Sequence, residues 1–209
     1  MKKDSPAYIL LFIIAISIVL GLGVSVVHYA TQEMLARNER LYRNRILADA
    51  FTLSVEGDTP EAYERAVEQA LETDTVSSEG YRTVIYRLER AGEQRVGLVF
   101  SGMGFWDRIT GILVLTPSLE QITNLRFFEE KETPGLGARI TEKSFTEQFQ
   151  GLEIDWNAGP NEHILIGQGR EGMPNRVDAI TGATQTSMAV MRILNNELER
   201  FAEAYRREG

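Results

Sequence analysis

The sequence predicts an α+β protein in which one N-terminal transmembrane helix carries a single domain with an antiparallel sheet and flanking helices. Three observations support this prediction: a 21-residue run without charge, Ala7–Val27; closely spaced β-rich runs between Tyr81 and Phe128; and an apolar helix face near the C-terminus. The 209 residues have ordinary globular composition, so the length suits one domain with accessory segments.

The apolar run begins the chain's organisation, and residues 1–30 are predicted to form a membrane anchor. At about 1.5 Å per residue it spans roughly 30 Å, the thickness of a hydrocarbon core. A cleaved signal peptide is disfavoured because its apolar region is shorter, about 7–15 residues, and no small-x-small cleavage site follows here. Lys2 and Lys3 precede the run and several arginines follow it, so charge leaves the orientation open.

Residues 31–75 are predicted to form a helical stalk and a linking helix, and residues 76–209 the domain. The segment DTPEAYERAVEQALETD begins with Asp58 and Thr59 as a cap and Pro60 at the first helical position. The runs YRTVIYRL, QRVGLVF, ITGILVL and ITNLRFF then predict an antiparallel meander. A short helix around TEKSFTEQFQ, a strand at HILIG and an amphipathic helix over 187–208 complete the domain.

Composition excludes several classes of site. The net charge is −8, which argues against a nucleic-acid surface, because phosphate backbones bind clustered Lys and Arg. Cysteine is absent, so disulfides, iron–sulfur clusters and thiolate zinc sites are excluded. His28 and His163 are the two histidines, too few for a histidine-rich metal or haem site.

The segment DAITGATQTS, Asp178–Ser187, places four hydroxyl residues at a predicted helix start. The first turn of a helix presents unpaired N–H groups and a positive dipole end, which favour an anion. Thr181, Thr184, Thr186 and Ser187 could bind a phosphate or be esterified to one, although Ser and Thr are also preferred caps. A hydrolase is disfavoured because no base is placed to activate a hydroxyl.

Two further segments bear on binding. ETPGLG, Glu132–Gly137, combines a rigid turn with glycines that allow close approach by a flat ligand, or it is a plain connecting loop. It matches no dinucleotide or P-loop fingerprint. In SGMGFWDRITG, Phe105 and Trp106 could form an aromatic wall against a conjugated ring, or belong to the core.

Together, ETPGLGARI and the downstream VDAITGATQTS resemble the motif pair of the FMN-binding domain family, over about residues 80–205. That family includes the G subunit of Rnf-type complexes and the C subunit of sodium-translocating NADH:quinone oxidoreductases. The resemblance implies FMN joined by a phosphoester to Thr184, a bond made by a separate flavin transferase with FAD as donor. It also implies a domain on the periplasmic side of the inner membrane, where it relays electrons between neighbouring membrane subunits.

The resemblance assigns roles to residues of both motifs and of the aromatic pair. Leu136 is expected to contact the isoalloxazine and Trp106 to form a second wall, while Thr181, Thr186 and Ser187 are expected to act as caps and phosphate contacts. No catalytic or metal-binding residue is predicted. The predicted cofactor-binding residues are Trp106, Glu132, Thr133, Pro134, Gly135, Leu136, Gly137, Asp178, Thr181, Gly182, Ala183, Thr184, Thr186 and Ser187.

The subtype is predicted from flanking residues and length. VDAITGATQTSMAV looks like the Rnf G subunit, GFWDRITGILVL is similar to the sodium-translocating C subunit, and 209 residues is short for the latter. An Rnf-type subunit is therefore favoured. The alternatives are the C subunit, a stand-alone extracytoplasmic flavoprotein, and an anchored assembly protein that has lost its flavin.

Overall fold

The computed structural model describes residues 6–78, 80–90 and 92–208 and divides the chain into two compact units, Met1–Leu41 and Tyr42–Gly209. The first five residues of the predicted anchor, including Lys2 and Lys3, lie outside the described residues. Helix α1, Pro6–Ala50, supplies the first unit and continues into the second. It is long and apolar enough to cross a membrane, and the side chains of its apolar stretch are exposed, which confirms the predicted N-terminal apolar helix.

The second unit contains a six-stranded antiparallel sheet and the remaining helices. Helix α2, Pro60–Ala70, begins as predicted, with the Thr59 hydroxyl accepting a hydrogen bond from the Ala62 N–H at 3.2 Å. The strands follow one another in the order of the chain, each pairing with the next. They are β1 (Leu71–Ser78), β2 (Tyr81–Arg90), β3 (Glu93–Met103), β4 (Arg108–Leu115), β5 (Gln121–Glu129) and β6 (Leu152–Glu153).

The predicted linking helix is wrong at its end, because residues 71–75 belong to strand β1. The backbone becomes extended at Leu71, and β1 pairs with β2 along its whole length. Within LETDTVSS only Leu71 and Val76 are buried. An edge strand with so few apolar residues lacks the alternation by which strands are recognised in a sequence.

The sheet buries both of its faces, which explains the continuous apolar run of its fourth strand. On one face Leu113 and Leu115 join the core built with the C-terminal helix, α4 (Thr184–Glu208). On the other face Ile112 and Val114 pack with Leu47 and Phe51, from the end of α1 and the turn that follows. A strand covered on both sides needs apolar residues at successive positions instead of at alternate ones.

The end of α1 is fixed to the sheet by polar as well as apolar contacts. The buried side-chain amide of Asn124 on β5 donates hydrogen bonds to the carbonyl oxygens of Asp49 and Ala50, at 3.2 and 3.0 Å. Arg126 forms an ion pair with Asp49. Because the last carbonyl groups of a helix have no partner within the helix, Asn124 satisfies groups that would otherwise be buried unpaired.

The segment between β5 and α4 is mostly irregular and carries both sequence motifs. The predicted helix over 141–150 is a four-residue helix, α3 (Lys143–Thr146), flanked by the 3₁₀ turns Gly137–Thr141 and Glu147–Phe149. The predicted strand HILIG is reduced to β7, Leu165–Ile166, which pairs in parallel with β8, Arg176–Val177. The predicted α+β class with an antiparallel sheet and flanking helices is confirmed.

Candidate functional site

The site begins with the tight turn that starts helix α4. Gly182 has a φ of +81°, a backbone conformation that residues with a Cβ rarely adopt. The Ala183 N–H donates to the Ile180 carbonyl at 3.0 Å, and the Ser187 hydroxyl accepts a hydrogen bond from the Ile180 N–H at 3.1 Å. Since Ala183 has no polar side chain to cap the helix, the N–H groups of its first turn are left for another acceptor.

The hydroxyl groups of this first turn have different surroundings. Thr184, the first helical residue, is exposed, and its hydroxyl has no hydrogen-bond partner among the described residues. Thr186 and Ser187 are buried, and the hydroxyl group of each is engaged by a group of the protein. Thr184 is therefore the free nucleophile of this turn.

The loop containing TPGLG lies against the start of α4. The Thr133 carbonyl accepts hydrogen bonds from the N–H groups of Leu136 and Ala138, at 3.1 and 3.2 Å. A Cβ placed on Gly137 would lie 2.5 Å from the Thr186 hydroxyl oxygen, so this contact requires glycine. Leu136 remains 45% exposed, beside Gly182.

Glu132 joins this loop to two other parts of the site. Its side chain is only 5% exposed. One carboxylate oxygen accepts hydrogen bonds from the backbone N–H groups of Phe105 and Trp106, at 2.9 and 3.0 Å. The other oxygen accepts a hydrogen bond from the Thr186 hydroxyl at 2.8 Å. Glu132 thus connects the β3–β4 loop to the first turn of α4.

The β3–β4 loop presents two aromatic side chains to solvent. Phe105 and Trp106 are 52% and 65% exposed, and their rings meet edge to face with centroids 5.1 Å apart. Next to them, the hydrogen bond from the Arg108 N–H and then the ion pair with Lys131 lower the pKa of Asp107. An exposed aromatic pair is unusual in a soluble surface and indicates a place where an apolar ligand or partner binds.

These elements enclose a cleft of about 400 Å³, within the size range of small-molecule sites, about 300–1,000 Å³. None of its lining residues is charged. One wall is aromatic, one is the TPGLG loop, and the floor is the start of α4. The lining residues are Phe105, Trp106, Thr133, Leu136, Gly137, Gly182, Ala183, Thr184, Gln185 and Thr186.

Six of the predicted site residues do not line the cleft. Glu132 lies behind its wall, Pro134 and Gly135 form the outer turn of the loop, and Ser187 is buried below Ile180. Thr181 lines a separate groove with Arg139. Asp178 is exposed, where it pairs with Arg176 at 2.9 Å.

Two lining residues are absent from the predicted set, Phe105 and Gln185. The sequence did identify the Phe105–Trp106 pair as an aromatic wall, but consecutive loop residues give no periodicity that shows which ring faces the ligand. Gln185 follows the free threonine in the first helical turn. The signal for it is position alone, because the first residues of a helix surround any group bound at its N-terminus.

Comparison with known proteins identifies the domain that contains this cleft. Residues 104–199 match the FMN-binding domain family. This range begins in the β3–β4 loop, includes the TPGLG loop and the start of α4, and so contains the whole lining of the cleft.

The matched curated proteins are subunits of one type of respiratory enzyme. The C subunit of the Na⁺-translocating NADH-quinone reductase from Pasteurella multocida is 30% identical over 97 residues, 46% of this chain and 37% of that protein. The same protein from Vibrio alginolyticus is 28% identical over 109 residues, 51% of this chain and 43% of the relative. The chain thus matches less than half the length of these relatives.

Two solved structures share the fold. The C subunit of the Na⁺-translocating NADH-quinone reductase from Parabacteroides distasonis superposes with a TM-score of 0.68 at 18% identity, covering 82% of this chain and 95% of that one. NqrC from Shewanella oneidensis gives a TM-score of 0.67 at 19% identity, covering 81% of this chain and 97% of that one.

Proposed function

Because residues 104–199 form an FMN-binding domain, we propose that this chain is a membrane-anchored flavoprotein that carries FMN covalently on Thr184. It serves as a redox subunit of an ion-translocating electron-transport complex and relays electrons between neighbouring subunits. The names of its relatives support this class of complex. The unpartnered hydroxyl of Thr184, which opens into the cleft, is the observation that carries the proposal.

The start of α4 suits a phosphate attached at Thr184. The lining of the cleft offers no lysine or arginine to balance the charge. The free N–H groups of the first helical turn and the positive end of the helix dipole supply that balance instead. Gly182 and Ala183 keep the approach to the hydroxyl free of bulky side chains.

The walls of the cleft suit the isoalloxazine ring. Leu136 supplies an apolar contact from the TPGLG loop, and Trp106 with Phe105 supplies an aromatic surface on the opposite segment. When bound, FMN supplies the electron-transfer chemistry, and the protein sets its environment. The exposure of both walls leaves an edge from which a redox partner can approach.

Attachment requires a separate enzyme. No lining residue is a histidine or a carboxylate that could take the proton from the Thr184 hydroxyl. We therefore assign this role to a flavin transferase. The threonine oxygen forms a bond to the FMN phosphorus of FAD, AMP leaves, and the transferase accepts the hydroxyl proton.

The anchor and partners follow from the same proposal. Helix α1 holds the chain in the inner membrane, with the domain on the periplasmic side. The partners are the membrane subunits of the complex. The relatives support the C subunit of the Na⁺-translocating NADH-quinone reductase, whereas the residues around Thr184 and the chain length favour the Rnf-type G subunit. Co-purification of the native complex separates these subtypes through the identity of its other subunits.

The test of covalent attachment is a pair of matched threonine variants. The protein is produced with a flavin transferase, and its intact mass and in-gel fluorescence are measured after denaturation. We expect the wild type to gain the mass of one FMN residue and Thr184→Ala to lose both signals. Thr181→Ala is the control, because Thr181 is also exposed but lies outside the cleft. Retained fluorescence in Thr184→Ala, or its loss only in Thr181→Ala, would overturn the assignment.

A further inference from the structure

Glu132 is a buried acidic residue without a cationic partner among the described residues. The salt bridges of the neighbouring Lys131 go to Asp107 and Glu129, at 3.4 and 3.1 Å. All three hydrogen bonds to the Glu132 carboxyl group come from donors, namely two backbone N–H groups and one hydroxyl. A carboxyl group surrounded only by donors is matched to its ionised form, which accepts and does not donate.

We propose that Glu132 is a positioning residue that holds the aromatic wall of the cleft onto the first turn of α4, and that its carboxylate makes the bound flavin harder to reduce. This inference rests on the proposed function only in its second part. The positioning role concerns contacts of the protein itself.

The positioning role follows from what the carboxylate joins. Its hydrogen bonds fix the backbone at Phe105 and Trp106, which lie in the β3–β4 loop, and the hydroxyl of Thr186 on α4. Neither of these loop amides has a backbone partner outside the strand ladders, so Glu132 is the acceptor that orders them. Hydrogen bonds to a charged acceptor are stronger than those between neutral groups.

The surrounding glycines show that this side chain fills its space. A Cβ on Gly104 would overlap the carboxylate oxygen that binds the loop amides. A Cβ on Gly137 would lie 2.9 Å from the Cβ of Glu132. Two glycines from different segments therefore close around one acidic side chain, and its carboxylate stays in one position directly behind the cleft.

The effect on reduction follows from charge. Three of the residues that touch Glu132 (Phe105, Trp106 and Thr186) line the cleft, so the carboxylate lies one layer behind the ligand. Reduction adds negative charge to a flavin, and a fixed negative charge in a poorly hydrated site opposes it. Removal of this charge, with the hydrogen bonds preserved, should raise the midpoint potential.

Glu132→Gln makes that change. The glutamine oxygen can accept from both backbone N–H groups, and its NH₂ group can donate to the Thr186 hydroxyl, which also accepts. The midpoint potential of the flavin-loaded full chain is measured in detergent by reductive titration against a reference dye. We expect the equilibrium to shift toward reduced flavin at least tenfold, about 30 mV for a two-electron couple.

The control is Glu129→Gln, which removes the same charge from an exposed glutamate paired with Lys131. Solvent screens that charge, so its potential should stay within a few millivolts of the wild type. Equal potentials for Glu132→Gln and the wild type, or equal shifts in both variants, would overturn the role of the charge. Loss of covalent flavin in every variant and in the wild type would instead count against the proposed function.

The positioning role is measured in the flavin-free protein by hydrogen exchange at the Phe105 and Trp106 amides. We expect protection in the wild type and in Glu132→Gln, and at least tenfold faster exchange in Glu132→Ala. The amides of the α4 interior serve as the internal reference for folding. Unchanged protection in a folded Glu132→Ala protein would refute the positioning role.

Discussion

Replacing Thr186 by valine isolates the hydrogen bond that links α4 to Glu132. Valine and threonine have nearly the same shape and similar helix propensities, so the substitution chiefly removes the hydroxyl donor. The Thr186 hydroxyl donates at 2.8 Å to a carboxylate in a buried setting. A hydrogen bond to a charged group contributes about 1.5–3 kcal/mol, and the added buried methyl group offsets about 0.8 kcal/mol.

The net expected loss in the free energy of unfolding is therefore about 1–2 kcal/mol. For a domain of this size, that corresponds to a lowering of Tm by about 2–8 °C. The assay is urea unfolding of the flavin-free full chain in detergent, followed by tryptophan fluorescence. The control is Thr184→Val, the same change two residues earlier at an exposed hydroxyl without a partner, which should stay within about 0.5 kcal/mol. Equal losses in both variants would refute the reasoning.

Two further predictions concern the fold. Gly97→Ala should destabilise the protein by about 1–3 kcal/mol through overpacking, because a Cβ there would lie 2.6 Å from the Phe51 ring; an unchanged urea midpoint would contradict the two-sided core. Burial raises the pKa of Glu197, which accepts a hydrogen bond from Tyr81, so the folded state holds this proton more tightly and stability falls as pH rises from about 4.5 through the raised pKa. Glu197→Gln should therefore gain stability relative to the wild type between pH 4.5 and pH 7, and a constant difference across that range would contradict the effect.

The sequence predicts those parts of the structure that have a period or a local signal. Four strands of the meander and the C-terminal helix are apolar enough to be recognised, and the Thr59 cap before Pro60 marks α2 directly. Strand β1 is missed because its residues are mostly polar and follow a helix without a break. Its strand conformation is set by pairing with β2, a contact that no local pattern contains.

The same division holds for the site. Thr184 is marked by its place at a helix start, and its exposed hydroxyl fits that prediction. Nothing in the sequence distinguishes it from Thr186, which is buried because the helix turns that side chain toward Glu132. The link between Glu132 and the β3–β4 loop joins residues 26 and 27 positions apart in the chain, and only the folded sheet brings them together.

The end of helix α1 has a consequence for how the domain can be separated from its anchor. Leu47, Ala50 and Phe51 are almost fully buried, and Asn124 binds the carbonyl oxygens of the last helical turn. A shortened, water-soluble chain that began after Ala50 would thus lose part of its own interior and leave Asn124 without its acceptors. The cut that spares the domain lies at Tyr42, where the second compact unit begins.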